Sequence, residues 1–175
     1  MPSRNQSTNS NIGITIIAAM TQDLVIGKDS KMPWHISEEL KNFKKLTMGR
    51  PMIMGRTTYD SLGRRALPGR KSIVLSSDHN LPLSDNCYLA NNLEVALQIA
   101  IDTGSNEVMI IGGATVYQQF LPLANKLLLS FVHKDYSGDT FFPAYDAAQW
   151  QQIANTDFAE FTTIELIRNV DCDLS

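Results

Sequence analysis

The chain has 175 residues, 43% of them hydrophobic and 19% charged, with a formal net charge of −3 at pH 7. That length suits one domain with a sizeable core, and the slightly acidic balance argues against a nucleic-acid-binding surface as the main function. Cys87 and Cys172 lie far apart and outside any CxxC pair, which leaves no disulfide framework and no cysteine metal site, and suits a reducing, cytoplasmic setting.

Residues 1–11, MPSRNQSTNSN, are polar and without periodicity, so a flexible extension is expected ahead of a single domain over 12–169; residues 170–175 form a short tail. The first strand is ITIIAA (14–19). A helix is expected over 36–48, with Ile36, Leu40, Phe43 and Leu46 as its apolar stripe. Glu39 falls inside that stripe, three residues after Ile36 and four before Phe43, where a carboxylate is rarely placed without a reason. Next come strand PMIM (51–54), helix 56–62, strand SIVLSS (72–77), strand CYLA (87–90) and helix 92–102 with its stripe of Leu93, Ala96, Leu97, Ala100 and Ile101. Strand EVMII (107–111), helix 113–121 with Val116, Tyr117, Phe120 and Leu121 inward, and strand KLLLSFV (126–132) follow. The last stretch, FAEFTTIELIR (158–168), has no crossover helix before it and is expected to pair antiparallel at one edge.

Continuous apolar strands alternating with helices imply an α/β fold: a mostly parallel central sheet with helices on both faces and an antiparallel C-terminal edge. The apolar runs are too short to span a bilayer, so no membrane partner is expected. Ligands of such sheets bind at the carboxyl ends of the strands. In IIGGATVY, Gly112 and Gly113 end a strand and Thr115 opens a helix, which suits phosphate but also describes a tight turn. In PMIMGRTTYDSL, Arg56 sits at a helix start, badly placed for the dipole and well placed to grip phosphate. Ser76 and Ser77 add hydroxyls at a third exit. Three such exits together suggest a nucleotide bearing several phosphate groups. His35, His79 and His133 have neither metal-ligand spacing nor a nucleophile partner, and neither GxSxG nor HExxH occurs, so no metal is expected.

Four ordered blocks carry a resemblance: IIAAMTQDLVIGKDSKMPWHISEELKNFK, PMIMGRTTYDSLGRRALPGRKSIVLSS, EVMIIGGATVYQQFLP and GDTFFP. Together they resemble the dihydrofolate reductases, from about Ile14 to Arg168. The resemblance implies an NADPH-dependent oxidoreductase that reduces 7,8-dihydrofolate to tetrahydrofolate, supports one-carbon and thymidylate metabolism and is open to antifolate inhibitors. It implies that Glu39 binds the pterin ring N3 and 2-amino group and assists protonation of N5 during hydride transfer from NADPH to C6. Met32, Pro33 and Trp34 match the mobile loop over the site, with Trp34 anchoring a water near Glu39. Ile17, Ala19, Leu40, Phe43 and Leu67 match folate contacts, Ile111 and Ser130 join them, and Arg70 matches the partner of the glutamate-tail α-carboxylate.

For the cofactor, the resemblance assigns Arg56 and Ser77 to the adenosine 2′-phosphate, with Thr57 and Ser76 beside them. Thr58 and the turn of Gly113, Ala114, Thr115 and Val116 match the pyrophosphate cradle. Ile111 and Tyr117 match the nicotinamide pocket, Ala19, Ile26 and Gly27 match further cofactor contacts, and Gly112-Gly113 is the family's cis peptide. Some positions depart from the common pattern. Glu39 is often Asp in bacterial members, Ser130 replaces a Thr that hydrogen-bonds the acid, and Thr57 and Asn91 stand near where other members are basic. A monomer is expected. Two rivals stay open: a riboflavin-pathway pyrimidine reductase of the same fold, and a phosphotransferase built on IIGGATVY, which would need a glycine-loop lysine and metal-binding acids.

Overall fold

The structure, a computed structural model, describes residues 12–169; the expected N-terminal extension, the C-terminal tail and Cys172 lie outside the described residues. The chain forms β1 (Gly13–Met20), β2 (Val25–Gly27), α1 (Ser37–Thr47), β3 (Met52–Gly55), α2 (Arg56–Ser61), β4 (Ser72–Leu75) and β5 (Cys87–Ala90). It continues with α3 (Leu93–Asp102), β6 (Glu107–Gly112), α4 (Ala114–Phe120), β7 (Lys126–Val132), β8 (Thr140–Phe141), β9 (Trp150–Asp157) and β10 (Phe161–Arg168).

Eight strands make the main sheet in the order β5-β4-β3-β6-β1-β7-β10-β9. The strands from β5 to β7 are parallel, and β10 and β9 add antiparallel. β6 returns between β3 and β1, so the chain reverses its direction of travel across the sheet there. That reversal leaves room for a ligand at the carboxyl ends of the strands.

Period-two alternation divides the strand side chains between two faces. Ile14, Ile16, Ala18, Ile53, Val108 and Ile110 face one way and pack with Ala96 and Ala100 of α3 and with Val116 and Phe120 of α4. Ile17, Met52, Met54 and Met109 face the other way and pack with Tyr59 of α2 and with Phe43 and Leu46 of α1. Burial on both faces explains why these runs are continuously apolar. Ile16, Ile53 and Ile110 have no exposed surface, and each such side chain contributes about 1.5–3 kcal/mol through burial.

The C-terminal edge differs from the sequence expectation. Residues 158–168 are not the outermost strand: β10 pairs with β7, and a further strand, β9, pairs with β10 outside it. After Trp150, every residue of β9 is exposed. SIVLSS is strand only to Leu75, so Ser76 and Ser77 stand in the following loop.

Candidate active site

Alternation also gathers the floor of a cleft. Ala19 pairs with Ser130 and Ile17 with Leu128, so these four side chains share the face on which α1 lies. Ile111 packs on that face too. α1 starts without a side-chain cap, on an extended Ile36, and is oriented by its charges: Glu38 and Glu39 in the first turn, Lys44 and Lys45 in the last. Glu38 is exposed, whereas Glu39 is buried at 7% exposure. Burial alone pushes the Glu39 carboxyl up to about 6, close to neutral pH. Tyr117 comes from α4 on the far side of the sheet, and its hydroxyl donates to the carbonyl of Ile17 at 2.9 Å. Burial, and secondarily the Glu39 charge, hold this phenol well above the ordinary tyrosine range.

Trp34 precedes α1 and packs with Ile36, Val132 and Phe161, while Ala19 and Tyr136 close around them. Its ring meets Tyr136 at 5.5 Å between centroids. This anchors the segment that carries Met32, which is exposed. Trp34 Nε1 is buried with no hydrogen-bond partner among the described residues. A buried donor without a partner costs about 1–3 kcal/mol, so it marks a place where a water or ligand acceptor belongs.

The second charge of the cleft is Arg70, only 6% exposed. Its Nε donates to the Pro68 carbonyl (2.9 Å) and its Nη1 to Thr47 Oγ1 (3.1 Å). Thr47 in turn donates to the carbonyl of Phe43 at 2.8 Å, which fixes the acceptor against the end of α1. Burial lowers the Arg70 pKa, and among the described residues no carboxylate lies within ion-pair distance of it. A buried guanidinium held by neutral acceptors is ready for an anion. Leu67 packs on the same face.

Along the exits of β3, β4 and β6 the structure has a different character. The Gly112-Gly113 peptide is cis. Gly112 has φ +119, and a Cβ there would stand 3.2 Å from the Tyr117 ring, so no other residue fits without displacing that phenol. A Cβ on Gly113 would come within 3.8 Å of Thr58 Oγ1, so α2 and the glycine turn lie side by side. α2 and α4 both start without a side-chain cap, in contrast to α3, where Asn92 accepts from the Val95 N–H at 2.8 Å. Free N–H groups at two adjacent helix starts, hydroxyls on Thr57, Thr58 and Ser77, and the exposed Arg56 make a donor set that fits a phosphate-bearing dinucleotide. Ser76 Oγ is already engaged by the Asp78 N–H.

The expected residues thus fall into two groups across one cleft. Ile17, Ala19, Glu39, Phe43, Leu67, Arg70, Ile111 and Ser130 gather near α1. Arg56 to Thr58, Ser76, Ser77 and Gly112 to Tyr117 gather at the neighbouring exits, while Ile26 and Gly27 lie on β2, against β8. Two of these residues stand apart in their setting. Leu40 is 41% exposed, because Glu39 rather than Leu40 takes the inward position of that turn. Ser130 is buried, but no hydrogen bond joins it to Glu39, whose raised pKa has burial as its sole cause. The structure adds Thr47, beside Arg70, and Asp78, beside Arg56, to these groups. Thr47 was legible as a hydroxyl one turn after Phe43, and Asp78 as the Asx residue of SSDHN. Among the described residues there is no metal-binding cluster, and no helix is long and apolar enough to cross a membrane.

Fold and cleft define an α/β enzyme with a nucleotide-compatible side and a carboxylate-bearing apolar side. The family model for dihydrofolate reductase matches residues 13–167. Dihydrofolate reductase of Buchnera aphidicola subsp. Baizongia pistaciae is 44% identical over 142 residues, 81% of this chain and 84% of that relative. The enzyme of Neisseria meningitidis serogroup A is 42% identical over 144 residues, 82% of this chain and 87% of its own length. A solved dihydrofolate reductase from Enterococcus faecalis, complexed with NADP(H) and RAB-propyl, superimposes with a TM-score of 0.82 at 30% identity, covering 90% of this chain and 97% of that one. The chain belongs to the dihydrofolate reductase family.

Proposed function

We propose that this cleft reduces 7,8-dihydrofolate with Glu39 as the residue that binds the pterin and assists protonation of its N5. The activity is that of the family: an NADPH-dependent reduction to 5,6,7,8-tetrahydrofolate, with hydride added at C6 and a proton at N5. NADPH, when bound, supplies the hydride. Arg56 and Ser77 would hold its 2′-phosphate, with Thr57 and Ser76 beside them. Thr58 and the turn from Gly113 to Val116 would hold the pyrophosphate, Ile111 and Tyr117 would border the nicotinamide, and Ala19, Ile26 and Gly27 would add further cofactor contacts.

The observation that carries this reading is the buried Glu39 carboxyl, raised to about 6. An acid of that strength is partly protonated near neutral pH, where it can both accept and release a proton. Ionised, it accepts hydrogen bonds from the ring N3 and the 2-amino group. Ile17, Phe43 and Leu67 exclude water around the ring, with Leu40 at the rim, and Trp34 offers its free Nε1–H to a water that can carry the proton. Arg70 pairs with the α-carboxylate of the glutamate tail. That group does not react, so Arg70 contributes binding rather than rate. The protein acts as a monomer on a small molecule, and antifolates compete at the same cleft.

The direct test is NADPH absorbance with purified protein. Loss of the reduced cofactor on addition of dihydrofolate, with tetrahydrofolate formed, is the expected result. No dihydrofolate-dependent loss would end this reading.

A further inference from the structure

The loop after β4 brings a charge to the cofactor side that the assignment above does not use. The Asp78 carboxylate stands 3.5 Å from Arg56 Nη1. Its own turn holds it there: the Asp78 N–H donates to Ser76 Oγ (3.1 Å), and Asp78 Oδ1 accepts from the Asn80 N–H (3.0 Å). Such an Asx turn orders a short side chain at small entropic cost. A second carboxylate, Asp60, lies 3.8 Å from Arg56 Nε. Its closer partner is Arg64, whose Nε is 2.8 Å away. Arg64 therefore takes much of the charge of Asp60, while Asp78 has Arg56 as its one ion-pair partner among the described residues.

We propose that Asp78 sets cofactor specificity: it occupies Arg56 and places a fixed negative charge beside it, which lowers this chain's preference for a 2′-phosphorylated nicotinamide dinucleotide over the unphosphorylated form. The proposal rests on the assignment of Arg56 to the 2′-phosphate. A phosphate dianion arriving at Arg56 must displace the Asp78 carboxylate or sit beside it, and like charges at that distance repel. A ribose 2′-hydroxyl meets the opposite situation, because it can donate to a carboxylate. One residue therefore acts in opposite directions on the two dinucleotides. Both side chains are roughly half exposed, at 47% and 43%, so solvent screens the effect. An exposed pair of this type changes affinity by about two- to fivefold.

The experiment measures binding to the adenosine side alone, by calorimetry, with 2′,5′-ADP and 5′-AMP as probes. It uses the parent protein, Asp78→Asn and Arg56→Ala, and is paired with kcat/KM for NADPH and NADH. Asp78→Asn is nearly isosteric and keeps the fold, which a melting curve checks. The expected result is a rise of about two- to fivefold in the 2′,5′-ADP to 5′-AMP affinity ratio, with a matching rise in the NADPH to NADH ratio. The rise should shrink at high salt. Arg56→Ala should lower both ratios. An unchanged or lower ratio in Asp78→Asn, with Arg56→Ala still lowering it, would overturn the role of Asp78 and leave the Arg56 assignment standing. Ratios that Arg56→Ala does not move would overturn both.

Discussion

The ion-pair cluster at the amino ends of the strands and the candidate site around α1 treat charge in opposite ways. At the amino ends of the strands, Glu107 accepts from Arg50 Nε at 2.8 Å and from the Thr15 hydroxyl, with Lys126 Nζ 3.9 Å away. Lys126 also lies 3.7 Å from Glu165, and Arg50 Nη1 donates to the Leu46 carbonyl, which closes the end of α1. Each of these charges meets an opposite one. Around α1, Glu39 is buried without a cation beside it, Arg70, two residues before β4, is buried without a carboxylate among the described residues, and Trp34 Nε1 has no acceptor. The fold satisfies its polar groups where they only join elements, and leaves them open where a ligand would complete them. Perturbed, uncompensated groups in a cleft are what a functional site looks like in physical terms.

The largest expected effect tests the open site. Glu39→Gln keeps the shape of the side chain and removes its titration. Hydride transfer measured by single-turnover stopped flow at neutral pH should fall by about 10²–10⁴-fold. Arg70→Ala comes next. It should raise the KM for dihydrofolate about ten- to a hundredfold while leaving NADPH binding and kcat nearly unchanged, as expected for a charged contact to a group that does not react. An unchanged dihydrofolate KM would return Arg70 to a purely structural role at the end of α1.

The same comparison predicts two stability effects. Burial raises the Glu39 pKa in the folded state to about 6, so the folded protein holds this proton more tightly than the unfolded chain does. Stability from this group is fully present below the unfolded carboxylate value and is lost as pH rises through about 6. Relative to Glu39→Gln, the parent should lose about 2 kcal/mol between pH 4 and pH 7.5, read from urea melts at both pH values. A constant difference would mean that Glu39 is solvated. Smallest of all, Glu107→Gln should cost about 1 kcal/mol in the same melts through its weakened ion pairs, with kcat/KM unchanged. A kinetic defect in Glu107→Gln would break the division between the ion-pair cluster and the site.

Much of the architecture was legible because its strands are buried on both faces, and continuous apolar runs such as ITIIAA and EVMII leave few other solutions. β9 was hidden for the reverse reason: WQQIANTD faces solvent along its length after Trp150, so no apolar alternation betrays it. β2 and β8 are too short to show a period. Within the site, Glu39 stood out because helical spacing placed a carboxylate where an apolar side chain was due. Leu40 shows the limit of that reasoning, since one helical step decides which of two neighbours points inward. Arg70 could not be told from Arg64 and Arg65 in RRALPGRK by composition. Its burial depends on Thr47 arriving from the end of α1, which is tertiary information. Asp78 reads as an ordinary turn residue until Arg56 is seen next to it.

The claim that matters most is that the buried carboxyl of Glu39 governs delivery of the proton. It is tested most directly by single-turnover hydride transfer from acidic to alkaline pH in the parent and in Glu39→Gln, with a melting curve at each pH to exclude unfolding. In the parent the rate should fall as pH rises through the apparent pKa of the site. In the variant that inflection should vanish and the rate should keep climbing toward low pH, where dihydrofolate takes its proton from solution. Parallel profiles in the two proteins, or an unimpaired variant at neutral pH, would contradict the role given to Glu39.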